Sequence, residues 1–87
     1  MRNLNRTYVY IVRCADQSLY CGWTKDLQRR LVEHNEGIKG AKYTRSRRPV
    51  ILVYEKEFTN AVTAQAEERR IKRMTRQEKL FLLTNPK

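Results

Sequence analysis

Thr7-Tyr-Val-Tyr-Ile-Val-Arg13, followed after a short polar break by Leu19-Tyr-Cys-Gly22, is the stretch of sequence that decides the fold. The first segment is an unbroken run of β-branched and aromatic residues, a strand signal. Its apolar side chains fall on both faces, so the strand is expected to be covered on both sides. Ala15-Asp-Gln-Ser18 supplies turn residues, and the second segment returns as a short strand that Gly22 ends. Together they predict a hairpin.

Beyond the hairpin, Thr24 is placed to cap a helix from about Lys25 to Asn35, with Asp26 favourable to the dipole in its first turn. Leu27 and Leu31 lie one turn apart on its apolar stripe, which puts Arg30 and His34 at the margin of the buried face. A loop is expected from about Glu36 to Pro49, punctuated by Gly37 and Gly40. Val50-Ile-Leu-Val-Tyr54 reads as a third strand fading into Glu55-Lys-Glu57. Asn60 can cap a second helix over roughly Ala61 to Met74. Thr75-Arg-Gln-Glu78 has the capping-box pattern and opens a last helix, about 76–84, through Leu80, Phe81, Leu82 and Leu83. The predicted class is α+β: a small, three-stranded, mainly antiparallel sheet flanked by about three helices.

The chain has 87 residues, which suits a single domain over 1–87. Hydrophobic residues make up 40%, including one Trp, five Tyr and two Phe, which is too many for a disordered chain. No apolar run approaches the ~20 residues a membrane-spanning helix needs. The segment Met1 to Arg6 has no apolar core of the kind secretory signals carry, so a cytoplasmic protein is expected. Nineteen Lys and Arg against nine Asp and Glu give a net charge of +10. Such a balance points to a polyanionic partner: nucleic acid, the ribosome or an anionic membrane surface. The short helices lack the bulky apolar face of membrane-surface anchors, apart from Leu80 to Leu83. Cys14 and Cys21 are too few for a disulfide framework, and zinc would want about four ligands where His34 is the one histidine. Both are read as buried free thiols.

Glu68 is conspicuous by position, because it shares a helix stripe with Ala61, Ala64 and Ile71. A carboxylate there must be paired, protonated or bound to a cation. Tyr10 and Tyr20 come from the two strands of one hairpin, and taken singly they read as core aromatics. Arg30 and His34 taken singly read as surface residues of a helix.

Their order is more specific than any of them alone. Tyr8-Val-Tyr10, then Tyr20-Cys-Gly22, then a helix carrying Arg30 and His34, resembles the GIY-YIG nuclease superfamily. Ala64-Gln-Ala-Glu-Glu68-Arg-Arg-Ile71-Lys72 looks like the helix that gives that family its single acidic metal ligand. Cys21-Gly-Trp-Thr-Lys-Asp-Leu27, Gly40-Ala-Lys-Tyr-Thr-Arg45 and Arg48-Pro-Val50 are most similar to its small stand-alone bacterial members. The resemblance spans about 7–76. Tyr8 stands where the first motif has glycine, and Cys21 is the middle residue of the second. Both are strand positions that need not touch the chemistry. Glu68 fits the family spacing for the ligand, whereas Glu67 is turned about 100° away.

The resemblance implies hydrolysis of a phosphodiester bond in DNA with one divalent cation, Mg²⁺ or Mn²⁺. Tyr10 is then the candidate general base, or the residue that orients the attacking water. A free tyrosine has a pKa of ~10, so it needs nearby cations to ionise usefully at neutral pH. Arg30 would hold the scissile phosphate and stabilise its extra charge. Glu68 would hold the metal, and Tyr20 and His34 would complete the site. Separately from the resemblance, Lys39, Lys42, Arg45, Arg47 and Arg48 in the loop, with Lys72 and its neighbouring helix cations, can neutralise backbone phosphates. Tyr43 can stack on a base or pack on the sheet. DNA is favoured over RNA by the resemblance, and a lone domain leaves targeting to a protein partner. The other reading is a basic, non-catalytic binder of DNA, RNA or the ribosome, which has no need of an inward-facing acid among Arg and Tyr.

Overall fold

A computed structural model describes residues 6–37 and 42–84. Strands β1 (Thr7–Arg13), β2 (Leu19–Thr24) and β3 (Ile51–Phe58) form one antiparallel sheet in the order β2-β1-β3. The helices are α1 (Leu27–Glu36), α2 (Lys42–Arg45), α3 (Ala61–Lys72) and α4 (Arg76–Thr84). The α+β architecture is the one expected. Four helices replace about three because a single turn, α2, forms inside the basic loop.

β1 is central, and its pleat divides the core in two. Val9 and Ile11 face a layer that includes Cys21, Tyr54, Ala64 and Ile71, beneath α3. Tyr10 and Val12 face Cys14 and Val50, with Leu27 and Leu31 of α1 packed against them. The run of apolar residues without alternation therefore has a physical cause: each face of β1 lies under a helix. Cys14 and Cys21 are buried free thiols, as expected.

Local details differ from the sequence reading. The α1 cap is Asp26, whose carboxylate accepts from the Arg29 amide at 3.1 Å. Thr24 instead accepts from the Asp26 amide at 3.1 Å, which bends the chain into the cap and starts the helix at Leu27, two residues late. β3 does not fade over Glu55 to Glu57. It continues to Phe58, because Glu55, Lys56 and Glu57 pair with Tyr10, Val9 and Tyr8 of β1. Asn60 caps α3 through the Thr63 amide at 2.9 Å. The Thr75 amide donates to the Glu78 carboxylate at 2.8 Å and the Glu78 amide to the Thr75 hydroxyl at 3.1 Å, the reciprocal pattern of a capping box. No helix among the described residues is long and apolar enough to cross a membrane.

Candidate active site

Tyr10 sits at the middle of β1 opposite Gly22 on β2, and Val12 sits opposite Tyr20. Cross-strand partners share a face, so Tyr10, Tyr20 and Gly22 all point towards α1. Gly22 is needed here for space. A Cβ built on it would lie 2.6 Å from the Tyr10 hydroxyl oxygen and 2.8 Å from its Cζ. The phenol lies across the bare backbone of β2 and reaches α1.

Arg30 and His34 project from α1 one turn apart and meet that phenol. The Tyr10 hydroxyl is 2.7 Å from His34 Nε2, and Arg30 Nε donates to the same oxygen at 3.4 Å. His34 is not at the margin of the buried face, as its spacing suggested: it is wholly buried, at 0% exposure. The cause is the chain beyond α1, which folds back as α2 and closes over the ring. Thr44 Oγ1 lies 2.8 Å from His34 Nδ1, so both ring nitrogens are hydrogen-bonded. Tyr20 packs edge-on against the same ring at 5.5 Å, and Tyr43 stacks on Tyr20 at 5.7 Å. Tyr43 therefore extends the site's aromatic wall while remaining exposed, with the Arg47 guanidinium 4.0 Å over its ring.

Burial sets the protonation states. It pushes the Tyr10 phenol up to about 12, against the opposing pull of the Arg30 hydrogen bond and charge. It pushes His34 down to about 4, and the Arg30 charge adds to the effect. At neutral pH the pair is a neutral phenol beside a neutral imidazole. The neighbouring cation does not bring Tyr10 into the neutral range, because desolvation outweighs it.

Glu33 was not singled out in the sequence. It accepts from Arg30 Nη1 at 2.9 Å and from Arg29 Nε at 3.2 Å, which aims the Arg30 guanidinium. Its place three residues after Arg30 was the available signal. Thr44 carried no such signal, being ten residues from His34 in a loop. Arg30 opens on a pocket of about 520 Å³ that Lys25, Arg29 and Glu33 also line, room enough for a nucleotide phosphate.

Glu68 projects from α3 with only 16% of its side chain exposed and meets Lys72 Nζ at 3.3 Å. Lys72 in turn lies 5.8 Å from the Tyr20 ring, which links the α3 carboxylate to the aromatic wall. Glu67 is bound to Arg70 through two contacts of 2.9 and 2.5 Å, which hold its carboxyl below the usual range. Of the two acids, Glu67 is thus held by an arginine and Glu68 by a single lysine contact. Among the described residues there is no cluster of three or more metal-ligating side chains. One shielded carboxylate with one ammonium contact fits a hard cation that takes one protein oxygen and fills its shell from water and phosphate.

The basic loop divides in the same way. Lys42 and Arg45 are exposed on α2. Arg47 binds Asp16 at 3.0 Å and the Tyr43 carbonyl at 2.8 Å. Arg48 donates to the carbonyls of His34, Glu33 and Gly37 at 2.6, 3.2 and 2.5 Å, capping the C-terminus of α1. Lys39 lies outside the described residues.

A sheet with its central tyrosine laid over a facing glycine, and a helix carrying arginine and histidine one turn apart, is the arrangement of a known domain family. The profile of the GIY-YIG catalytic domain matches residues 6–80, and the chain belongs to that family. Its relatives include UPF0213 proteins, small bacterial chains of nearly the same length. UPF0213 protein CPE1444 of Clostridium perfringens is 53% identical over 78 residues, covering 90% of this chain and 83% of that one. UPF0213 protein OB0043 of Oceanobacillus iheyensis is 55% identical over 76 residues, covering 87% of each. Among solved structures, the solution structure of UPF0213 protein BH0048 from Bacillus halodurans superposes with a TM-score of 0.60 at 42% identity, covering 91% of this chain and 83% of that one. The protein EF2693 from E. faecalis gives 0.62 at 39% identity, covering 97% and 90%.

Proposed function

We propose that the protein is a metal-dependent endonuclease that hydrolyses phosphodiester bonds in DNA. The observation that carries this reading is the Arg30–Tyr10–His34 network, with Tyr10 and His34 buried and Arg30 at the pocket, held by bonds of 3.4 and 2.7 Å. A tyrosine hydroxyl and an imidazole drawn into the core of so small a protein, with a part-buried guanidinium bound to them, are costly unless they are used. A protein that only bound nucleic acid would gain nothing from them, since phosphate contacts are made at the surface.

In this reading the Tyr10 oxygen receives the attacking water. With its proton donated along the short bond to His34 Nε2, the oxygen takes a proton from water while passing its own to the imidazole. The tyrosine then acts without resting as a phenolate, which its position near 12 forbids. His34, held near 4, readily returns the added proton to the Tyr10 oxygen, which passes one to the leaving oxygen or to solvent and resets the pair. Arg30, aimed by Glu33, holds the scissile phosphate and stabilises the charge that gathers on its oxygens. Glu68 is the residue that would hold Mg²⁺ or Mn²⁺, and the cation supplies charge stabilisation at the phosphate and leaving oxygen when bound. Exposed Lys42, Arg45 and Lys72 neutralise flanking phosphates.

The test is cleavage of labelled duplex, branched and single-stranded DNA and of an RNA, each with Mg²⁺, with Mn²⁺ and with chelator. Metal-dependent cutting of DNA supports the reading. Tight binding of the whole panel with no cutting supports the non-catalytic binder instead.

A further inference from the structure

His34 is held from both sides. Nε2 is 2.7 Å from the Tyr10 hydroxyl and Nδ1 is 2.8 Å from Thr44 Oγ1. Both Thr44 and His34 are wholly buried. The ring cannot flip or swing without breaking a bond that no water can replace. Thr44 is itself anchored. The Arg47 amide donates to its carbonyl at 2.9 Å, and the Arg47 guanidinium ties the same segment to Asp16 in the β1–β2 turn at 3.0 Å.

The direction of the hydrogen bonds follows from the donors. A guanidinium can only donate, so the Tyr10 oxygen accepts from Arg30. The phenol has one proton to give, and His34 Nε2 is the acceptor in reach. A neutral imidazole that accepts at Nε2 carries its hydrogen on Nδ1, which faces Thr44. A hydroxyl suits that place better than a carboxylate would. It accepts from Nδ1 without adding a negative charge, and so does not drive the ring towards imidazolium, whose Nε2 could no longer accept.

We infer that Thr44 is a positioning residue for this site: by accepting from Nδ1 it supports the tautomer that the Tyr10 proton selects, in which His34 presents a bare Nε2 to Tyr10. When Tyr10 takes a proton from water and hands its own to Nε2, the imidazole holds two protons and Thr44 keeps its bond to Nδ1. The Nε2 proton then returns to the Tyr10 oxygen as Tyr10 releases one to the leaving oxygen or to solvent, which restores the starting state. The catalytic consequence rests on the nuclease reading, whereas the tautomer itself does not.

The experiment uses the full chain labelled with ¹⁵N. With one histidine present, the imidazole nitrogens are read without ambiguity. At neutral pH the expected spectrum shows a protonated Nδ1 and a bare Nε2. Thr44→Val, which removes the hydroxyl at nearly constant shape, should shift the ring towards a mixture of tautomers, and Thr44→Ser should keep the wild-type pattern. A wild-type spectrum with the hydrogen on Nε2 would overturn the assignment without any variant being made. An unchanged Thr44→Val spectrum would reduce Thr44 to packing. On a cleaved substrate, Thr44→Val should lower kcat by about tenfold or more with KM little changed, and Thr44→Ser should recover it. A shifted tautomer with undiminished kcat would remove Thr44 from the reaction. If no substrate is cut at all, the nuclease reading fails while the spectra still decide the tautomer.

Discussion

Tyr10 and Gly22 face one another across the first hairpin so closely that a methyl group on Gly22 would stand 2.6 Å from the Tyr10 hydroxyl oxygen. The glycine of the second sequence motif is thus explained by the tyrosine of the first. It leaves open the space through which the phenol reaches His34 and Arg30. Gly22→Ala should push the ring off His34 and cost about 1–3 kcal/mol through overpacking. Denaturant unfolding of Gly22→Ala, Tyr10→Phe and the double variant checks this. The two changes should be non-additive because the groups touch: Tyr10→Phe removes the nearest atom but leaves Cζ 2.8 Å from the added methyl, so it relieves only part of the cost.

His34 should titrate near 4 rather than near its ordinary 6.5, because its burial and the Arg30 charge disfavour the imidazolium. Between those two values the unfolded chain binds the proton and the folded chain does not. This contribution to stability is therefore full above about 6.5 and is lost as pH falls towards about 4. An NMR titration of the imidazole gives the midpoint directly. His34→Gln should flatten that part of the stability curve and leave the losses from paired carboxylates such as Glu67 in place.

Arg30→Ala should reduce cleavage by on the order of 10²–10³ while weakening binding far less, since its contact with the phosphate strengthens as charge develops. Arg30→Lys should recover affinity more than rate. A lysine keeps the charge but cannot both bind Glu33 and donate to Tyr10 from one rigid plane. Single-turnover kinetics with a separate binding measurement divides the two effects.

The basic residues of the loop should behave differently from one another. Lys42→Ala should lower the slope of log affinity against log salt by about one unit. Arg48→Ala should leave that slope alone and lower the melting temperature, because it removes three bonds to carbonyls at the end of α1. Titrations at several salt concentrations, with thermal unfolding alongside, test both statements.

What was legible in the sequence was local. The β1–β2 hairpin, the Asn60 cap and the Thr75–Glu78 capping box are written in contiguous residues, and each forms, although β2 runs past Gly22 to Thr24 because Trp23 and Thr24 go on pairing with Val9 and Tyr8. Tyr10, Arg30 and His34 could be marked as a group because their order along the chain resembles the GIY-YIG family, whereas taken singly they read as a core aromatic and two surface residues of a helix. The burial of His34 was not legible, since it depends on Thr44 and α2 closing over it from a segment that reads as basic loop. Nor was the role of Arg48, whose partners are backbone carbonyls 11 to 15 positions away and leave no trace in composition. Glu68 was picked out by its place on an apolar stripe, and the shielded carboxylate beside Lys72 explains why it stood out there.

The measurement that tests the central claim most directly is cleavage of labelled branched and duplex DNA in Mg²⁺ and Mn²⁺ by wild type, Glu68→Gln and Arg30→Ala, with binding measured in the same buffers. The account predicts metal-dependent cutting by the wild type that is lost in both variants while most of their binding survives. Equal residual cutting by all three proteins, or firm binding by the wild type with no cutting under either metal, would contradict it.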